Sequence, residues 1–185
     1  MVDRSTSGQR HARLTEVVHQ GRLDCRPVEV ALTHFDACFH CVGMSSAGMG
    51  EAQYTELAHD MTRAWLNPPM THAWVSAAGV DSSEAGSSMW ARVRGCTENT
   101  LPQLPFKAAC MLRPGIIQPL HGIRSRTGAC RWLYRLGAPL LLLRRLLPDT
   151  VRTEALGHAM LAAARRSASR AVLETVDVSA PGHPA

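Results

Sequence analysis

The chain has 185 residues, of which 45% are hydrophobic and 19% charged, enough to bury one core and ordinary for a globular domain. Its formal charge of +5 is carried almost wholly by arginine, because Lys107 is the only lysine, so no other residue can serve as a catalytic lysine. The basic residues are scattered over 113–170 without interleaved aromatics, the pattern of solvated helix faces, which argues against a nucleic-acid partner.

Residues 1–27 are polar and charged, so no secretory signal is expected and a cytoplasmic location follows. Four short apolar runs read as strands: "TEVVH" (15–19), "DACFHCVG" (36–43), "HAWVSAAG" (72–79) and "AACMLRPG" (108–115). A fifth, "AVLETVDV" (171–178), closes the domain. Helical patterns fall between them at about 51–66, 88–101, 127–147 and 153–166. The last starts at Thr153, a good N-cap, with Glu154 near the positive end of the helix dipole and an apolar stripe through Leu156, Ala159, Met160 and Ala163. Strands alternating with helices predict an α/β fold with a largely parallel sheet, one domain over 1–178, and a disordered tail at 179–185.

Two other patterns carry less. Cys38 and Cys41 form C-x-x-C within a predicted strand, where residues three apart point to opposite faces, so no shared metal or disulfide is expected and the metal set is empty. Reduced, buried cysteines fit the cytoplasm. The apolar run "APLLLL" (138–143) stops at Arg144 and Arg145, far short of a membrane span, so no membrane partner is expected. The longer segment 131–147 would at most lie on a membrane surface, and packing on a core explains the same pattern.

The three central runs share one more feature: each ends in small or flexible residues, "VGMSSAG", "VSAAG" and "RPG". Ligands of open α/β sheets bind outside the carboxyl ends of the strands. Gly43, Ser45, Ser76, Gly79 and Gly115 are therefore placed where a backbone must approach a ligand. A single such turn would be only a tight strand-to-helix connection, but three in succession favour a crevice.

The segment "WVSAAGVDSS…SSMWARVRGCTENTLPQLPFKAACMLRPGIIQPLHG" resembles the atypical short-chain dehydrogenase/reductases, the NAD(P)-binding, epimerase-like group that includes the Tat-interacting-protein-like oxidoreductases. The resemblance runs from about residue 10 to 178 and is most specific at "VSAAG", "MWARVRGCTEN" and "MLRPGIIQP". It implies a Rossmann-like parallel sheet flanked by helices, with a nicotinamide dinucleotide across the strand ends. It also implies a Y-x-x-x-K pair on the helix after the "VSAAG" strand. There the tyrosine exchanges a proton with the substrate oxygen, the lysine lowers the tyrosine's pKa and holds the ribose, and a serine holds the oxygen. By position, the tyrosine falls on Trp90 and the lysine on Arg94, while Ser76, Ser82 and Ser87 are candidates for the serine. Arg113, Pro114 and Gly115 match the segment that borders nicotinamide and substrate.

Three departures qualify that likeness. An indole N–H only donates and does not titrate in this range, so Trp90 cannot be the general acid. Arg94 could still bond a ribose and supply positive charge. The alternative packs Trp90 in the core and leaves Arg94 on the helix surface. The only tyrosines, Tyr54 and Tyr134, lie far away in sequence.

The third departure concerns the cofactor loop: the chain has no G-x-G-x-x-G between a first strand and helix. Its start, "VDRSTSG" (2–8), resembles the end of the family's second strand, with Arg4 and Ser5 near the adenosine ribose, where a basic residue slightly favours NADP. The domain is therefore expected to be N-terminally truncated by a βαβ unit of about 30 residues. The absent strand would lie mid-sheet in the order 3-2-1-4-5-6 and leave open backbone edges through which the chain could form an oligomer.

The resemblance thus implies an NAD(P)-dependent oxidoreductase or epimerase-like enzyme acting on a small carbonyl or sugar-like substrate, with a degenerate catalytic pair. The alternative is a non-catalytic NAD(P)-binding or protein-interaction module.

Overall fold

Short apolar runs spaced by helix-length segments fold as alternating strands and helices. The computed structural model describes residues 1–3, 5–21, 23–43, 45–64, 70–118, 120, 150–166 and 170–179. In chain order, β1 (Val2–Asp3) and β2 (Val17–Val18) precede α1 (Glu29–Leu32) and β3 (Ala37–His40). A helical stretch follows, made of α2 (Glu51–Thr55), a π-helical turn at Glu56–Asp60, and α3 (Met61–Ala64). Next come β4 (Thr71–Val75), α4 (Met89–Thr100), β5 (Ala108–Arg113) and β6 (Ile116–Gln118). The last elements are β7 (Thr150–Arg152), α5 (Thr153–Arg166), β8 (Val172–Glu174) and α6 (Thr175–Ser179).

The main sheet has the order β3-β4-β5-β8, and every pairing in it is parallel. Period-two alternation explains why it is covered on both sides. Ala73, Cys110, Leu112 and Leu173 face one way and pack on Leu156, Ala159, Met160 and Ala163 of α5. Trp74 and Met111 face the other way and pack with Leu101, just beyond α4. The chain therefore has the expected α/β architecture, a parallel sheet flanked by helices, consistent with a Rossmann-like fold.

Two small parallel pairs stand outside this sheet, β1 with β2 and β6 with β7. Among the described residues β1 is not hydrogen-bonded to β3. Phe35, Phe39 and Val42 are exposed in and beside β3.

The strands are shorter than their apolar runs, because each ladder stops where its neighbour does. The run 36–43 pairs only over Ala37–His40, and the run 15–19 only at Val17–Val18. The run 171–178 is not one strand. After Glu174 it turns into α6, because the Asp177 carboxylate accepts the Glu174 backbone N–H at 3.0 Å and starts a helix. Thr175 Oγ1 meanwhile donates to the Arg113 carbonyl at 3.0 Å, holding the new helix to the sheet. The helices expected at 88–101 and 153–166 are α4 and α5. The helix expected at 127–147, the segment 131–147 and Tyr134 lie outside the described residues, as does the tail beyond Ser179. Among the described residues no helix is long and apolar enough to cross a membrane.

Candidate functional site at the strand tips

Because β3, β4 and β5 are adjacent and parallel, their carboxyl ends open on one edge of the sheet. Gly43 and Ser45 follow β3, Ser76 and Gly79 follow β4, and Pro114 and Gly115 follow β5. The β4 and β5 exits are held together past the ladder. The Ser76 N–H donates to the Leu112 carbonyl at 2.7 Å, and the Ala78 N–H to the Pro114 carbonyl at 2.9 Å. The Gly79 φ of +82° is one an L side chain rarely adopts, so the turn requires glycine. At Gly43 a Cβ would meet nothing within 4 Å, so this tip is open. Ser45 Oγ accepts the Ala47 N–H at 3.2 Å and closes a local turn.

The three candidate serines separate clearly. Ser76 is buried, and its Oγ has no hydrogen-bond partner among the described residues. Ser82 Oγ accepts from Arg113 Nη2 at 2.6 Å, and Ser87 is exposed. Ser5 follows β1, in the separate two-stranded pair, and Arg4 lies outside the described residues.

On α4, spacing by four does put Trp90 and Arg94 on one side, but their burial is the reverse of the surface-arginine alternative. Trp90 is half-buried and its ring tip lies 3.7 Å from where a Cβ on Gly79 would sit, so it covers the β4 turn. Arg94 is only 7% exposed. Its Nε donates to the Tyr54 hydroxyl of α2 at 3.1 Å, and its guanidinium carbon lies 5.5 Å from the Trp74 ring centroid. The reason is the neighbouring helical stretch. Arg92 also ties α4 to α2, through Glu51 at 2.7 Å, so α2 packs along the side of α4 that carries Arg94.

Arg113, at the end of β5, spends its donors within the protein. Its Nε donates to the Glu98 carboxylate at 3.2 and 3.0 Å, its Nη1 to Glu174 at 3.1 Å, and its Nη2 to Ser82 and Glu98. These carboxylates raise the guanidinium pKa above its ordinary value, Glu98 first. The arrangement fixes the β5 tip, α4 and the loop before α4 as one body.

Three residues that sequence reasoning did not single out as site residues are buried in this part of the fold, two histidines in contact with each other and Tyr54 bonded to Arg94. His40 ends β3, and His72 lies beside it in β4, with ring centroids 5.7 Å apart in an edge-to-face contact. His72 also stacks on Phe106 at 4.7 Å. His40 Nδ1 and both ring nitrogens of His72 have no partner among the described residues. Burial pushes the His40 pKa down to about 4, helped by the Arg94 charge, and the His72 pKa down to about 3. Both rings are therefore neutral at pH 7. The third residue is Tyr54. Its reach to Arg94 spans forty positions of sequence and leaves no local signal, whereas the histidines were legible as inward positions of the strands.

Cys25, Cys38, Cys41, Cys96 and Cys110 form no disulfide, and no group of three His, Cys, Asp or Glu side chains among the described residues could hold a metal. Cys41 Sγ lies 3.9 Å from Met160 Sδ on the α5 face, while Cys38 pairs in register with His72 on β4. No protein-family model and no curated protein matches this chain, so the resemblance to short-chain dehydrogenases rests on the quoted residues and the parallel sheet alone.

Proposed function

We propose that this chain is a nicotinamide-dinucleotide-binding protein of the atypical short-chain dehydrogenase type, with the ligand lying across the ends of β3, β4 and β5. The observation that carries this reading is the adjacency of three parallel strand tips bearing Gly43, Ser76, Gly79 and Gly115. Ser76 fits the role of a residue that bonds the nicotinamide end, because its buried Oγ otherwise lacks a partner. A pyrophosphate cradle of the G-x-G-x-x-G kind is not in this sequence, so affinity is expected to be modest. When bound, the dinucleotide would supply hydride transfer.

A second reading, binding without turnover, is favoured by the α4 pair. Trp90 cannot exchange a proton, and the Arg94 guanidinium is engaged by Tyr54 and Trp74. Fluorescence titration with NADPH and NADH, followed by NADPH oxidation against a panel of aldehydes, ketones and sugars, separates the two. Sub-millimolar binding with no turnover supports the non-catalytic form. Turnover lost on Arg94→Ala supports the oxidoreductase or epimerase-like form. No binding at millimolar dinucleotide removes both.

A further inference from the structure

Arg94 is a buried cation with no counter-ion among the described residues. Among the described residues no carboxylate lies within ion-pairing distance of it, and a guanidinium cannot shed its charge at any ordinary pH. Its Nη1 has no hydrogen-bond partner among the described residues. The face of Trp74 offsets part of the desolvation, but a buried charge ordinarily needs a paired opposite charge.

Beside this guanidinium lies a cavity of about 10 Å³, room for a single water-sized occupant. Val42, Leu57, Met61 and Trp74 supply its apolar wall, and Arg94 and Tyr54 its polar one. The hydroxyl of Tyr54 already accepts from Arg94 Nε, so its own hydrogen is available to donate, and no acceptor for it is found among the described residues. Thr62, also in the wall, spends its hydroxyl hydrogen on the Ala58 carbonyl at 2.7 Å.

The wall therefore offers donors and positive charge. A neutral water there would leave the Arg94 charge uncompensated, whereas an anion both accepts from Nη1 and Tyr54 and neutralises it. We propose that the cavity between Arg94 and Tyr54 is a binding site for a small inorganic anion of halide size, which neutralises Arg94 and joins α4 to α2. This inference does not rest on the dinucleotide reading, because Tm in the two salts is measured without any dinucleotide.

The test is thermal unfolding of the whole chain in sodium chloride and in sodium gluconate at equal ionic strength. Occupancy at about ten times Kd should raise Tm in chloride by about 3–6 °C. Arg94→Met should abolish the difference, and Tyr54→Phe should move it to roughly ten-fold higher chloride, the loss of one hydrogen bond to a charged group. Equal Tm values in the two salts, or an undiminished chloride effect in Arg94→Met, would overturn the proposal. If Arg94→Met does not fold, crystals of the unaltered protein soaked in bromide decide the matter. An anomalous peak beside Nη1 supports the site, and a cavity empty at saturating bromide rejects it.

Discussion

Arg113 at the end of β5 and Glu98 on α4 form an ion pair that is almost wholly removed from water, with side chains 14% and 2% exposed. Two donors of one guanidinium reach one carboxylate, which is the geometry that repays the desolvation of both ions. Removing Arg113 leaves Glu98 charged and buried, whereas removing Glu98 still leaves Arg113 the half-exposed Glu174. Arg113→Ala is therefore expected to cost about 3–5 kcal/mol in urea denaturation, whereas the double change Glu98→Leu with Arg113→Met should cost much less. A double variant as unstable as the single one would show that the pair's contribution is packing rather than charge.

Gly95 lies where α4 meets the loop that carries Ser82. A Cβ there would collide with the backbone carbonyl of Asp81, and that loop has little freedom to retreat. The Asp81 carboxylate accepts from Ser83 and from the Gly86 N–H, while Asn99 of α4 donates to the Ser82 carbonyl at 2.9 Å and to Glu84 at 2.8 Å. Gly95→Ala should destabilise by about 3 kcal/mol, near the top of the range for overpacking. Gly157 in α5 is the contrast. Nothing lies within 4 Å of its Cβ position, so Gly157→Ala should stabilise by about 0.5–1 kcal/mol through helix propensity. Chemical denaturation of the two variants side by side gives the comparison, and equal shifts would contradict it.

The buried histidines make stability fall with acid. An unfolded histidine titrates near its ordinary 6.5, while burial holds His40 near 4 and His72 near 3 in the folded chain. Above pH 6.5 both are neutral in both states and contribute no pH dependence. As pH drops below 6.5 the unfolded chain takes up protons that the folded chain refuses, and the loss levels off only below the folded values. Between pH 7 and pH 5 the pair should remove roughly 3–4 kcal/mol of stability. Urea denaturation at both pH values measures this loss. His72→Phe should shrink the difference by about half, since each residue carries a similar share. An unchanged difference would show that other groups govern the acid transition.

The strands, α4 and α5 were readable because each is a local pattern repeated over several residues. Alternating apolar residues in 72–75 and 109–112, and the stripe Leu156, Ala159, Met160, Ala163, state which sides of those elements avoid water. The three tip segments were equally local, since a glycine or serine after a strand is visible as such. The run 171–178 was misread for a related reason. Its β-branched residues favour a strand, and only the bond from the Glu174 N–H to Asp177 turns the chain into a helix.

Sequence spacing also brought Trp90 and Arg94 to one side of α4 but left the burial of that side open. The answer came from α2, which presents Tyr54 and Glu51 to the helix. His40 and His72 followed the same rule, because adjacency in a sheet depends on strand order and register rather than on either strand alone. The sequence by itself determined an α/β chain with a parallel sheet and three glycine- or serine-bearing strand ends, since solvent avoidance is encoded one residue at a time. Only the tertiary structure decided that Arg94 is buried against Tyr54, that Arg113 is held by Glu98, and that two histidines stay neutral. Those outcomes depend on desolvation and on partners from distant segments, and neither exists until the elements have packed.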